Sequence, residues 1–103
     1  MSLGTFQPHL RSIFHIKSAN RSVPVALVAA RDKTRPGDKT LEAFSVVFRG
    51  PKKDALPQGI YPIQHESLGT FELFLQPIPT KGDAQDYDAV FTRLKPAATR
   101  KGA

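Results

Sequence analysis

The chain contains no cysteine, which removes a disulfide framework, a thiolate nucleophile and any Cys-based zinc site, and makes a reducing, cytoplasmic setting the default expectation. Long apolar runs are missing too. The longest, from Val23 to Ala30, is interrupted by Pro24 and falls far short of the roughly 18 residues that a spanning helix needs, so no membrane association is expected. The N-terminal stretch MSLGTFQPHLR has neither the basic leader nor the apolar core of a secretory signal.

What is present describes one folded unit. A chain of 103 residues with 40% apolar content and seven phenylalanines can bury a real but modest core, unlike a disordered chain. Nine prolines and seven glycines favour short elements with many turns over long helices. The charge is uneven: residues 1–53 carry ten Lys/Arg against three acids, and residues 54–103 carry five against six. A basic half raises the odds of an anionic partner through steering and counterion release.

Period-two alternation dominates. In SIFHIKS (12–18), Phe14 and Ile16 share a face opposite Ile13, His15 and Lys17; in VPVALVAAR (23–31), Val23, Val25 and Leu27 share one. These read as a hairpin turning at Asn20-Arg21, with Pro24 marking an edge or a late strand start. RDKTRPGDKT (31–40) is polar and reads as an exposed loop. EAFSVVFR (42–49) is a half-buried strand on Phe44, Val46 and Phe48, stopped by Gly50-Pro51. GIYPIQH (59–65) and TFELFLQPI (70–78) form a second hairpin, with Gly69 where the turn needs positive φ, and DYDAVFTRL (86–94) is the sixth strand. Short links and no convincing helix point to an all-β fold: a single small antiparallel six-stranded barrel or compact sandwich over residues 1–94, with a flexible basic tail at 95–103.

FSVVFRGP, LPQGIYPIQHESLGTFELFLQPI and YDAVF together resemble a family of short bacterial domains of unknown function, whose pattern is FSLLFRGP, then LPQGxY near HxxLGxFELFLxP, then YxAVFN. The likeness is dense from Phe44 to Phe91, and Thr92 stands where the pattern favours Asn. The resemblance implies no catalytic residue. It implies assembly or adaptor work beside collar or fibre proteins of phage-tail type.

The residues offer little reactive chemistry. His9, His15 and His65 are too scattered for a metal or triad motif, although His65 precedes the turn and could hydrogen-bond across it. Asp83, Asp86 and Asp88 lack the calcium-loop register, and Glu66 and Glu72 flank one turn rather than facing each other. FRGPKKD lacks the phosphate-loop pattern. Arg49, before the Gly-Pro corner, should clamp a carboxylate of the same fold in preference to an outside anion.

The sequence is therefore read as a non-enzymatic interaction domain with no cofactor and no metal. Its contact with another protein is expected on Arg49, Leu56, Ile60, Leu68 and Phe74, whose apolar members should leave area outside the core. The alternative is a nucleic-acid or polyanion binder working through Arg31, Lys33, Arg35 and Lys39.

Overall fold

The computed structural model describes residues 3–37 and 40–94, the side chains of residues 93 and 94 excepted. The expected tail at 95–103 and the loop residue Lys39 lie outside the described residues. The fold opens with a one-turn helix, α1 (Leu3–Phe6), and a 3-10 turn (Gln7–His9), followed by β1 (Ile13–Ser18), β2 (Arg21–Asp32) and β3 (Leu41–Pro51). A second 3-10 turn (Lys52–Asp54) leads to β4 (Gly59–His65), β5 (Gly69–Ile78) and β6 (Ala84–Leu94).

The six strands close into an antiparallel barrel in the order β1-β2-β3-β6-β5-β4, which decides between the two architectures left open by the sequence. Closure leaves no strand outermost, as an open sheet of this size would, although among the described residues β5 and β6 are joined only over Gln76–Ile78 and Asp86–Asp88. Alternation sets the inside: Phe14, Ile16, Val23, Val25, Leu27, Phe44, Val46, Phe48, Ile63, Leu73, Leu75, Tyr87 and Ala89 are buried. Each large apolar side chain among them contributes about 1.5–3 kcal/mol relative to exposure.

Two segments outside the strands stop the ends of the barrel. Phe6, from the helix that the sequence did not suggest, is fully buried and its ring lies 5.5–6.4 Å from those of Phe14, Phe44, Phe71 and Phe91. The opposite end is crossed by the link from β3 to β4, strands on opposite sides of the ring; it drops Leu56 into the core, and the Leu56 N–H donates to the Tyr87 hydroxyl at 2.9 Å.

Three local expectations shift. The first hairpin turns at Ala19-Asn20 rather than Asn20-Arg21, because Ser18 pairs with Arg21 and Ala19 takes φ 52°. β2 runs straight through Pro24, at a position that pairs with β1 but precedes the stretch paired with β3, so the missing N–H interrupts no β2–β3 bond. β3 continues past Gly50 to Pro51 because β6 begins at Ala84 and pairs with both. Gly50 is there for space: a Cβ would sit 2.7 Å from Val25 Cγ1, inside the core. Gly69 closes the second hairpin at φ 80°, as its position in the sequence required.

Candidate functional site

Ring order turns the charge asymmetry of the sequence into one of space. β1, β2 and β3, all from the basic half, are contiguous, and β6, β5 and β4 make up the other wall. Arg31, Lys33 and Arg35 are exposed at the β2–β3 connection, where the Lys33 N–H donates to the Ala43 carbonyl at 2.8 Å and the Thr34 hydroxyl bonds Ala43 at both its N–H and its carbonyl. The basic side chains thus project from an anchored backbone. Where this wall meets the other, a groove of about 670 Å³ over the β1–β4 seam is lined by Arg11, Ser12, His15, Lys17, Gln64 and Glu66, among others.

The opposite wall is apolar and acidic. Ile60 on β4 and Phe74 on β5 are directly paired across strands and are 67% and 51% exposed. Val90 on β6, two residues beyond the last β5–β6 pair at Gln76 and Asp88, is 63% exposed. Ile13 on β1, Val28 on β2 and Leu41 on β3 are exposed as well, at 50%, 37% and 40%; what sets the β4–β6 wall apart is that Ile60, Phe74 and Val90, on three successive strands of the ring, are the most exposed large apolar residues among those described. Val90 was not singled out in the sequence, although it is legible there as an apolar residue out of phase with Tyr87, Ala89 and Phe91.

The other expected contact residues do not join this row. Leu56 is only 5% exposed and is a core residue, because the crossing link turns it inward under Tyr87. Leu68 is half-buried and packs against the core at the hairpin turn, so only part of it is open to a partner. Arg49 pairs with its cross-strand neighbour Asp86, Nε to Oδ1 at 2.7 Å and Nη2 to Oδ2 at 3.0 Å. This two-pronged hydrogen bond, reinforced by the carboxylate charge, raises the guanidinium pKa further above its ordinary value, and it is the internal carboxylate the corner was expected to supply. Half of the Arg49 side chain remains accessible.

A polar cluster at the Phe6 end was not visible in the sequence. His65 is 4% exposed, and its Nδ1 accepts from the Ser67 and Leu68 N–H groups at 3.0 and 3.2 Å, across the turn as its position suggested. With Nδ1 occupied as an acceptor, the neutral ring carries its proton on Nε2 and donates to Ser12 Oγ at 3.0 Å, while the Ser12 hydroxyl donates to the His9 carbonyl at 2.6 Å. The proton order is opposite to that of a nucleophile activated by a base, in which the serine donates to the ring. The cluster therefore ties the N-terminal segment to the β4–β5 turn. Burial, and then the neighbouring His9, hold the His65 pKa below its ordinary value, against a smaller opposing pull from Glu66.

Fold and surfaces together define a small closed antiparallel barrel with a cationic wall and an apolar, acidic wall. A domain of unknown function (DUF6916) matches residues 1–91, and the chain belongs to that family. No curated protein and no solved structure matches it. Among the described residues, no helix is long and apolar enough to cross a membrane.

Proposed function

We propose that this barrel is a non-enzymatic interaction domain, acting in the cytoplasm, which holds another protein against the outer surface of β4, β5 and β6. The observation that carries the reading is the exposed row Ile60, Phe74 and Val90 on rigid strands whose opposite faces are locked in the core. Apolar anchors of this kind, exposed in the free protein and desolvated in a complex, supply most of the energy in interfaces of modest size. The resemblance in its motifs supports an assembly component, of tail-collar or tail-fibre type, as the partner.

The test is retention of proteins from nuclease-treated host lysate by immobilised wild-type chain and by Ile60→Asp and Phe74→Asp. A protein held in fixed ratio by the wild type and lost with both variants supports the reading. Retention unchanged by both substitutions removes it.

A second reading is favoured by the contiguity of β1, β2 and β3, which gathers the basic half on one wall. It is polyanion binding through Arg31, Lys33 and Arg35, together with Lys39, and it requires an affinity that falls steeply with salt and falls again when these residues are neutralised. Binding that ignores salt counts against it.

A further inference from the structure

We propose that the seam between β5 and β6 receives an extended segment of the partner protein, which pairs its backbone with the free edge of β5 over Thr70–Leu75. This rests on the interaction reading above and names the form the partner takes. Among the described residues, β5 and β6 are paired at Gln76 with Asp88, Pro77 with Tyr87 and Ile78 with Asp86. Beyond these pairs, toward the Phe6 end, β5 pairs only with β4 and β6 only with β3. In an antiparallel ladder successive residues direct their N–H and C=O groups alternately to the two sides, so about half the residues of Thr70–Leu75 and Ala89–Thr92 aim main-chain donors and acceptors into the seam.

The core beneath this seam is already sealed. The Phe6 ring lies between Phe71 of β5 and Phe91 of β6, at 6.0 and 5.5 Å. A phenyl ring satisfies apolar neighbours and leaves main-chain groups unmatched; water, a polar side chain or another backbone can pair with those groups, and of these a second backbone matches the whole row at once. A polypeptide in extended conformation is the ligand whose chemistry repeats at the spacing of a strand edge.

Charge selects among extended segments. Between residues 54 and 80 there is no Lys or Arg, while Glu72 on β5 is exposed and Asp88 on β6, in the last β5–β6 pair at the closed end of the seam, is half-exposed. A segment alternating apolar and basic residues would turn its apolar side chains toward Phe71 and Phe91 and its cations toward Glu72 and Asp88. The long stems of those cations would lie along the exposed faces of Phe74 and Val90.

The probe is the end-blocked heptapeptide Lys-Val-Lys-Val-Lys-Val-Lys, titrated into the full isotope-labelled chain, with an analogue N-methylated at each valine as control. N-methylation keeps charge and side chains and removes main-chain donors. The expected result has three parts: saturable shifts of the Thr70–Leu75 and Ala89–Thr92 amides, exchange of those amides slowed at least about tenfold, and at least about tenfold weaker binding of the methylated analogue. Equal binding of the two peptides, binding that shifts other strands, or no binding overturns the proposal. Seam amides as protected in the free chain as those of Phe44–Phe48 overturn it as well, and protection that grows with protein concentration alone assigns the seam to a second copy instead of a partner. The two readings fail separately: a partner lost with Phe74→Asp whose binding leaves the seam amides exchanging as before keeps the interaction surface and removes strand addition.

Discussion

Ser12 and His65, 53 positions apart in the chain, share a 3.0 Å hydrogen bond in which the imidazole donates and the hydroxyl accepts. The ring can do this, and accept two turn N–H groups at Nδ1, only while neutral. The folded pKa of His65 is lowered from an ordinary value of 6.5, so the unfolded chain binds the proton first. Stability is therefore expected to be full above about pH 6.5, to fall as pH drops below it, and to level off below the folded pKa. His65→Ala should cost about 1–3 kcal/mol at neutral pH through the orphaned turn amides, and it should flatten this slope. Urea midpoints for both proteins between about pH 7.5 and pH 5 check it. An unchanged slope in the variant would show that other groups carry the pH dependence.

Gly50 is fixed by its neighbour on β2. With a Cβ at 2.7 Å from Val25 Cγ1 and 3.3 Å from the Pro24 carbonyl oxygen, Gly50→Ala must displace a buried side chain and strand backbone. The expected cost is about 1–3 kcal/mol. Val25→Ala removes the nearer obstacle, so the same glycine substitution should cost clearly less in that background, read from a double-mutant cycle of denaturation midpoints. Equal costs in the two backgrounds would move the cause from packing to backbone conformation.

The sequence disclosed what depends on period two. Six strands, their inward faces and the Gly69 turn follow from alternation, because a half-buried strand repeats its environment every second residue. The Arg49 pair was half legible: a cation ending a strand needs an acid, but which acid depends on β3 lying beside β6. Ring closure was hidden because it depends on β1 meeting β4, a pairing between distant strands that alternation does not specify, and the Phe6 plug and the inward turn of Leu56 were hidden because each lies on a non-strand segment whose position is set by the finished barrel. The Ser12–His65 link is hidden for the same reason. Ile60 and Phe74 could be named because they are apolar at outward positions, and Leu56 was misassigned because a link has no period.

Tyr87 couples the crossing link to the wall. Burial pushes its phenol above the ordinary value of 10.0, with the Leu56 N–H a smaller opposing influence. Tyr87→Phe leaves that buried N–H without its acceptor, at an expected cost of about 1–3 kcal/mol. Because the unfolded phenol ionises first, wild-type stability should fall as pH rises past about 10, and the variant should lack this component. Midpoints at neutral and alkaline pH measure both effects, and a variant as stable as wild type would mean that water replaces the hydroxyl.

Leu73 and Phe74 are adjacent on β5 and should respond oppositely to the same change. Leu73 is buried and pairs with Tyr61, so Leu73→Asp places a carboxylate among core side chains without a partner and should abolish the folded state. Phe74 is half-exposed opposite Ile60, so Phe74→Asp loses a cross-strand apolar contact of about 0.2–1 kcal/mol and leaves the barrel intact. Circular dichroism and thermal unfolding separate the two. If Phe74→Asp unfolds the chain, the residue belongs to the core and the β4–β6 wall loses its anchor. If it folds normally and releases the partner, the energy of binding resides on an outward face that folding does not use.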